Sequence, residues 1–431
     1  MKATDKAADN KTGEENLISV PPPPTPDDAR GGEAGTFMIP PPAVPTQEGP
    51  LGIRYDFNYG ARVLLPKGQW RVRIEDDESG NILFECDADE GWVLSKAKYY
   101  VPFKITVWQR GVNEPVLEHV MDLRGKEVLI QFLIGALGDI VGWIPYAERF
   151  RQKHNCITEC FLAQNLAGLF SAQYPELSFT YPPNQPRFKS PYATYRVCLF
   201  LGGVKFDGHR QPIDYRYVGY RSAAYILGVD PKEEPARVAL NYPRSIKEPY
   251  VCIAAKSTRQ AKFWNNNSGW AEVIKYLKEQ GYRVLCIDKD SVVGQGFVWN
   301  AIPQGAEDFT GNIPLEERVA LLQHADFFIG LASGLSWLAW AAKIPVILIS
   351  GFSLPTYEFE TPYRVFNTHG CNGCYSAADL SFNHYDFFFC PRHKNTPRQF
   401  ECTRLITGRQ VIGHIKRLMA DYKLNPKKTN Q

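Results

Sequence analysis

The sequence lacks a strong net charge of either sign, which limits the partners that the protein can have. Its 431 residues carry 49 Lys and Arg against 46 Asp and Glu, a formal net charge of +3. So balanced a composition provides no strong field for a polyanion, and nucleic acid is not expected as a partner. With 44% hydrophobic and 13% aromatic residues, the chain has material for two or three domains.

The sequence also lacks a long apolar run and an apolar leader. One uncharged stretch, residues 327–342, is shorter than the ~20 residues of a bilayer span and is interrupted by small residues around Gly334. Residues 1–16 are polar and mixed in charge, without the apolar core of a secretory signal. We therefore expect a cytoplasmic protein without a membrane span.

Four regions with different patterns follow one another along the chain. Residues 1–48 are predicted to be a proline-rich disordered tail, because they contain too little apolar surface to offset the entropy of ordering. Residues 49–124 show short strand-like segments separated by turns, typical of a small antiparallel β domain. Residues 125–246 and 247–431 each alternate strands with helices, as βαβ units do. The predicted fold class is therefore α/β, with two Rossmann-like domains in the GT-B arrangement after the β domain.

The first candidate for chemistry is a turn that follows the opening strand of the first α/β domain. It reads Gly135-Ala136-Leu137-Gly138-Asp139. Ligands of doubly wound folds bind at the carboxyl ends of the strands, which would place Asp139 at a cleft between the two domains. There it would act as a general base that takes the proton of an attacking hydroxyl. The alternative, that Asp139 only caps the following helix, has similar support.

Two stretches of the second α/β domain are candidates for binding a diphosphate. Residues 256–262 follow its first strand and supply cations and hydroxyls for charge-assisted hydrogen bonds, although charge alone also fits a solvated basic loop. Residues 332–336 open a buried helix, whose free N–H groups and dipole favour an anion; the alternative is a turn selected for tight packing. Both stretches follow strands of one predicted sheet, which favours a shared phosphate site.

Two Asp-x-Asp matches are not predicted to hold a catalytic metal ion. Asp87-Ala88-Asp89 lies in the predicted β domain, away from the cleft. Asp288-Lys289-Asp290 follows a parallel strand, where an acid more often meets a ribose hydroxyl. No catalytic metal is therefore expected.

The ten cysteines fall into two groups. Six lie mostly in apolar, strand-like segments and are predicted to be buried thiols: Cys86, Cys156, Cys160, Cys198, Cys252 and Cys286. The other four lie in a loop-rich region, residues 369–403, and predict a structural tetrathiolate metal site, with free thiols or a redox pair as the alternatives: Cys371, Cys374, Cys390 and Cys402. Chemistry alone favours zinc, iron would share the four-sulfur geometry, and His369, His384 or His393 are alternatives for one ligand.

Together these features resemble the bacterial autotransporter heptosyltransferase family, in which a β domain precedes a GT-B core with a four-cysteine metal site. The resemblance covers roughly residues 53–424 and rests on residues 135–139, 257–262 with Trp264, 330–336 and the four clustered cysteines. It implies an inverting glycosyltransferase that moves heptose from ADP-heptose to serine hydroxyls of autotransporter adhesin passenger domains. It also implies a homo-oligomer, a dodecamer, with one structural iron ion per chain rather than zinc.

Carried over by position, the resemblance makes Asp139 the catalytic base. The donor-binding residues that it implies are Leu137 and Gly138 at the sugar, Thr258, Gln260 and Lys262 at the diphosphate, Ser333, Gly334 and Leu335 in the phosphate pocket, and Gly311 near the adenine. Two alternatives remain open: a lipopolysaccharide-core heptosyltransferase and a non-enzymatic, metal-stabilised scaffold that binds nucleotide. The core enzymes typically have Asp-Thr-Gly-Pro where this chain has Ala332-Ser333-Gly334-Leu335, which removes one acidic contact to the donor.

Overall fold

The computed structural model describes residues 39–96, 98–132, 135–162, 166–199, 214–377, 379–380, 382–383 and 385–429. It confirms the predicted fold class, because two α/β halves are built on two separate sheets and an antiparallel sheet comes from the N-terminal region. The predicted tail falls outside the described residues up to position 38.

The N-terminal region contributes strands to two different sheets. Its strands are β1 (Gln47–Glu48), β2 (Arg54–Asn58), β3 (Arg62–Leu65), β4 (Trp70–Asp76), β5 (Ile82–Ala88), β6 (Gly91–Leu94), β7 (Phe103–Gln109) and β8 (Pro115–Val120). Four of them form an antiparallel sheet in the order β5-β4-β7-β8. Trp70, Val72 and Ile74 alternate inward along β4 while Arg71 is exposed, as expected for a sheet with one face in water.

The first α/β half follows and takes up the remaining N-terminal strands. Its elements are β9 (Glu127–Phe132), α1 (Leu137–His154), β10 (Ile157–Leu162), α2 (Ala167–Phe170), β11 (Leu177–Thr180), β12 (Ala193–Val197), α3 (Tyr215–Val218) and α4 (Ser222–Leu227). The strand order is β11-β10-β9-β12-β2-β3-β6, and β1 pairs with β2. Strands β9 to β12 are parallel, and β2 joins them in parallel by pairing Phe57 with Ala193.

The predicted β domain, residues 49–124, has an antiparallel sheet of its own and also contributes strands to the sheet of the first α/β half. Three of its strands continue the first α/β sheet, and residues 55–58 of β2 are buried on both faces, as suits an interior strand. Part of the predicted tail is also ordered on this sheet. Gln131 Nε2 donates to the Ile39 carbonyl at 3.0 Å, and Arg62 donates to the Pro42 carbonyl at 3.0 Å.

The second α/β half has its own parallel sheet, in the order β17-β14-β13-β18-β19-β20. Its elements are β13 (Tyr250–Ile253), α5 (Gly269–Gln280), β14 (Arg283–Cys286), β15 (Val293–Gln295), β16 (Val298–Asn300), β17 (Glu307–Asp308), α6 (Leu315–Leu322), β18 (Phe328–Leu331), α7 (Gly334–Ala341), β19 (Val346–Ser350), β20 (Arg364–Phe366), α8 (Glu401–Arg404), α9 (Gly408–Asp421) and α10 (Pro426–Thr429). Strands β13, β18 and β19 are buried throughout, which explains their uninterrupted apolar sequences. None of the helices in the described part of the chain has the length and apolarity needed to cross a membrane.

The two halves meet where the first turns of α1 and α7 pack together. A Cβ on Gly138 would lie 2.5 Å from the Trp337 ring, and one on Gly334 would lie 2.8 Å from Leu137. The glycines therefore allow the two helices to approach more closely than larger residues would. Trp337 also packs on Tyr220 with ring centroids 4.7 Å apart. As a result, the amino ends of α1 and α7 are held side by side in the cleft.

Candidate active site and metal site

Asp139 is the third residue of α1, and both of its carboxylate oxygens have hydrogen-bond donors. Oδ2 accepts the backbone N–H of Ala136 at 2.9 Å. Oδ1 accepts the hydroxyl of Tyr215 at 2.9 Å. The helix cap that the sequence allowed therefore exists, but it uses one oxygen only. The other oxygen is turned toward Tyr215 on α3.

Asp139 lies close enough to Lys262 of the second half for their charges to interact. Burial raises the pKa of the Asp139 carboxyl, although the Tyr215 hydroxyl, the Ala136 N–H and the charge of Lys262 oppose that shift. Burial lowers the pKa of Lys262, while Asp139 and Glu358 act in the opposite direction. A carboxylate from one half and an ammonium from the other thus share one partly desolvated space. A carboxylate with a raised pKa is a stronger base once it is ionised.

Three tyrosines that the sequence did not single out surround this pair. The ring of Tyr357 packs edge-on against Tyr215 and against Tyr375, each with centroids 4.9 Å apart. The ammonium of Lys262 lies 6.0 Å from the centre of the Tyr375 ring. Burial raises the pKa of all three phenols, so they stay neutral hydrogen-bonding groups near neutral pH. The three tyrosines come from separate segments of the chain, so no sequence motif predicts that they lie together.

The amino end of α7 is the second feature of the cleft. Ser333 precedes α7 in extended conformation, its side chain does not cap the helix, and the first turn contains no acid. Ser336 Oγ donates back to the Leu331 carbonyl at 2.6 Å. The first N–H groups of a helix, here those of Gly334 and Leu335, have no acceptor within the helix. Ser333, Gly334 and Leu335 are half-buried, and they offer an anion the positive end of a helix dipole.

The basic loop of residues 256–262 divides between inward and cleft-facing residues. Lys256 is buried and its ammonium lies 3.5 Å from Asp288 Oδ2. Gln260 is buried as well: its amide donates to Asn265 Oδ1 at 2.7 Å, and its side-chain oxygen accepts from Asn300 at 2.9 Å. Thr258 is exposed. Lys262 is the cation of this loop whose charge reaches Asp139.

Asp288, the acid that follows β14, forms hydrogen bonds with the protein backbone. Asp288 accepts the backbone N–H groups of Ala255 at 2.9 Å and of Lys256 at 3.3 Å, so it ties the ends of β13 and β14 together. The sequence predicted a contact between this acid and a ribose hydroxyl. Such a contact would compete with the two backbone hydrogen bonds for the Asp288 oxygens. Gly311 lies just beyond, with a left-handed φ of 140°. Its N–H donates to the Lys289 carbonyl at 2.9 Å, which places it at the carboxyl edge of the second sheet.

The four clustered cysteines line one small cavity. Burial and the neighbouring thiols raise the pKa of Cys374 to about 12, and they raise the pKa of Cys402 to about 12 as well. A bound cation would offset this repulsion between neighbouring thiolates and so favour their ionised form. The donor set therefore fits a soft metal ion held by Cys371, Cys374, Cys390 and Cys402.

His393 and Glu401 line the same cavity, and their ligand atoms lie within 4.8 Å of Cys371 Sγ. Glu401 is already engaged, because it accepts the Cys371 N–H at 2.8 Å and a hydrogen bond from Arg398 at 2.6 Å. These bonds lower the pKa of Glu401 to about 2. Glu401 is therefore better placed to orient the cysteine loop than to bind metal directly. His369 is exposed, and His384 lies outside the described residues.

The cysteine loop packs directly beneath the cleft. Ala261 lines its cavity, and the next residue is Lys262. Cys374 lines it too, and the next residue is Tyr375. A Cβ on Gly351, after β19, would lie 2.5 Å from the Cys402 carbonyl oxygen. The loop therefore supports the wall of the cleft that belongs to the second half.

All ten cysteines are in the reduced state in the structure. Five of the six scattered ones are buried as predicted, while Cys86 at the edge strand β5 is only half-buried.

Two α/β halves, each with its own sheet, meet where Asp139 of one half lies near Lys262 of the other, which is the arrangement of a two-domain glycosyltransferase. Two family models match the chain: Glycosyltransferase TibC, N-terminal domain, over residues 49–111, and Glycosyltransferase family 9 (heptosyltransferase), over residues 219–380. The autotransporter heptosyltransferase BAHTCr of Citrobacter rodentium is 61% identical over 386 residues, 89% of this chain and 93% of that protein. The chain belongs to the autotransporter heptosyltransferase family, as its sequence motifs indicated, and it is a glycosyltransferase.

Two further relatives show how far the similarity extends. TibC of Escherichia coli O78:H11 is 61% identical over 89% of this chain and 94% of that protein. A crystal structure described as dodecameric iron-containing heptosyltransferase TibC in complex with ADP-D-beta-D-heptose matches with a TM-score of 0.85 and 59% identity, covering 89% of this chain and all of that one. The inactive autotransporter heptosyltransferase BimC of Burkholderia thailandensis is 41% identical over 91% of each chain.

Proposed function

We propose that this protein transfers heptose from ADP-heptose to serine hydroxyls of autotransporter adhesin passenger domains, with inversion at the anomeric carbon. The observation that carries the proposal is the interaction of Asp139 with Lys262 across the cleft. It sets a base from the first half against a cation from the second. The complex of TibC with ADP-D-beta-D-heptose supports the choice of donor.

In the proposed reaction, Asp139 takes the proton of the serine hydroxyl as its oxygen attacks the anomeric carbon. The bond from that carbon to the diphosphate breaks, and ADP leaves with the electron pair. Lys262 and the amino end of α7, at Ser333, Gly334 and Leu335, stabilise the growing charge. The attacking and leaving oxygens lie on opposite sides of the sugar, so the proposed reaction places the anomeric carbon between Asp139 and Lys262. No catalytic metal is needed for these steps.

The remaining donor contacts are proposed by position. Leu137 and Gly138, in the first turn of α1, would border the sugar. Thr258 and Gln260 would border the diphosphate, and Gly311 the adenine. For Gln260 this requires exchange of its bonds to Asn265 and Asn300, so we expect it to contribute less than Lys262.

We further propose that Cys371, Cys374, Cys390 and Cys402 hold one structural iron ion per chain, with zinc as the alternative. The name of the TibC structure, iron-containing and dodecameric, supports both this choice and a homo-dodecamer. We also propose that the protein acts in the cytoplasm. When bound, the metal would cross-link the loop of residues 369–403, which has little apolar core of its own. Elemental analysis should find one iron per chain and its loss in Cys371→Ser, whereas His393→Ala should keep it. Equal loss of the metal in both variants would show that His393 is one of the ligands.

The transfer itself is tested by incubating the purified protein with ADP-heptose and a passenger fragment of an adhesin. Intact-mass analysis should show the addition of whole heptosyl residues, and peptide mapping should place them on serine. The matched control is Asp139→Asn, which should add far less heptose in the same time. ADP release without any gain in acceptor mass would contradict protein transfer, and the absence of both would contradict the activity.

A further inference from the structure

Tyr215 is fixed in the cleft from two sides. It is the first residue of α3, where Asp214 caps the helix by accepting the Arg216 N–H at 2.9 Å. On its other side the ring packs edge-on against Tyr357 of the second half. Gly219, at the end of α3, has a left-handed φ of 56°, and a Cβ there would lie 2.5 Å from the Tyr357 carbonyl oxygen. The phenol is thus held where the two halves touch.

The hydroxyl of Tyr215 completes the hydrogen bonding of Asp139. The Ala136 N–H holds Oδ2 and the phenol holds Oδ1, both at 2.9 Å. One bond alone would leave the carboxylate free to turn about its terminal torsion, which is soft. Two bonds to different oxygens fix its plane and leave the remaining lone pairs in a defined direction. Accurate placement of a base is worth a large factor in rate.

We propose that Tyr215 is a positioning residue of the transfer reaction, which holds the Asp139 carboxylate in the orientation that receives the acceptor proton. The inference rests on the proposed role of Asp139 as base. Tyr215 itself exchanges no proton, because burial raises its pKa well above the usual value. Of the other groups around Asp139, Lys262 carries a charge that acts on it, and the charge of Asp139 raises the pKa of Tyr357 and of Tyr375.

The test is Tyr215→Phe, which removes the hydroxyl and keeps the ring. We expect kcat to fall on the order of 10- to 100-fold, the range for a lost hydrogen bond to a charged group, with the donor KM changed less than about 2-fold. The phenol favours the ionised carboxylate, so its loss should also shift the acid limb of the kcat profile to higher pH. A purely structural effect would not move that limb.

Tyr146→Phe is the matched control, because Tyr146 is a buried tyrosine of α1 whose hydroxyl donates to the Pro231 carbonyl at 3.1 Å. It should change neither kcat nor the acid limb. An unshifted limb in Tyr215→Phe would overturn the proposal, whether kcat is unchanged or falls together with the melting temperature. If Asp139→Asn keeps the kcat of the unmodified enzyme, the assigned base is wrong and the proposal fails with it, which separates the two failures.

Discussion

Helices α1 and α7 begin in the same way but offer opposite charges to the cleft. Each follows a buried parallel strand through a glycine-containing turn, and their first turns pack against each other through Gly138 and Gly334. In α1 the third residue is Asp139, whose carboxylate returns to the Ala136 N–H. In α7 the third residue is Ser336, and the first turn has no acid. The amino end of α1 is therefore occupied by the carboxylate of Asp139, whereas the amino end of α7 has no carboxylate of its own and can bind an anion.

The comparison shows that one side chain decides what a helix end does. In the proposed mechanism, the same backbone arrangement supplies the base in the first half and the phosphate site in the second. The cysteine loop adds a second difference, because it lies beneath Lys262 and Tyr375 in the wall of the second half.

Removing the acid from α1 should have the largest effect. Asp139→Asn keeps the size of the side chain but cannot accept the acceptor proton, so kcat should fall roughly 10²- to 10⁴-fold while donor binding is retained. Folding disfavours the ionised form of a carboxyl whose pKa is raised, so its charge costs stability at neutral pH. The melting temperature of the variant at pH 7 should therefore be unchanged or higher. A variant with normal kcat would remove Asp139 from the chemistry.

Adding an acid to α7 should make it resemble α1. Leu335→Glu places a carboxylate in the first turn, where it would occupy the free N–H groups and repel the diphosphate. The donor KM should rise on the order of 10-fold or more, by analogy with the loss of a charge-assisted contact. Leu335→Gln is the control, since it loses the same packing without the charge. Equal KM values in steady-state assays of the two variants would show that the helix end does not bind the diphosphate.

The pH dependence of the unmodified enzyme should reflect the burial of the acid. Because burial raises the pKa of Asp139, the base becomes protonated, and kcat is lost, as the pH falls through a value above the ordinary ~3.9 of an aspartate. The acid limb of a kcat profile, measured with saturating donor and acceptor, gives this value directly. A limb at or below the ordinary value would mean that Asp139 is not the group that titrates.

The close contact between the two helices should respond to one methyl group. Gly138→Ala would place Cβ 2.5 Å from Trp337 and should destabilise the fold by about 1–3 kcal/mol. Gly413→Ala on α9, where a Cβ meets nothing within 4 Å, should instead stabilise it by about 0.5–1 kcal/mol. Urea unfolding of both variants measures the pair. Equal stabilities would show that α1 and α7 are not held at this distance.

The sequence predicted the parts of the fold that depend on local pattern. Interior strands such as β13 and β18 are buried on both faces, which gives apolar runs that stand out from the amphipathic helices between them. The four clustered cysteines line one cavity, as their prediction as ligands of a single metal ion requires. The addition of β2, β3 and β6 to the first sheet was not predicted, because β2 pairs with β12, far along the chain.

The candidate site shows the same division. Asp139, Lys262 and residues 333–335 follow strands whose carboxyl ends form the cleft, so topology alone pointed to them. Tyr215, Tyr357 and Tyr375 come from short helical turns in three segments, and only the packing of the two halves brings them together. The hydrogen bonds of the buried Gln260 and Asp288 side chains could not be predicted from the sequence either. Polar residues of a loop have no periodicity that distinguishes buried from exposed positions.

The most direct test of the account is a crystal structure of the Asp139→Asn variant with ADP-heptose bound. The account predicts the diphosphate against Lys262 and the N–H groups of Gly334 and Leu335, with the side chain at position 139 on the opposite side of the anomeric carbon. A diphosphate bound away from α7, or a residue 139 on the same side of the sugar as the leaving group, would contradict it.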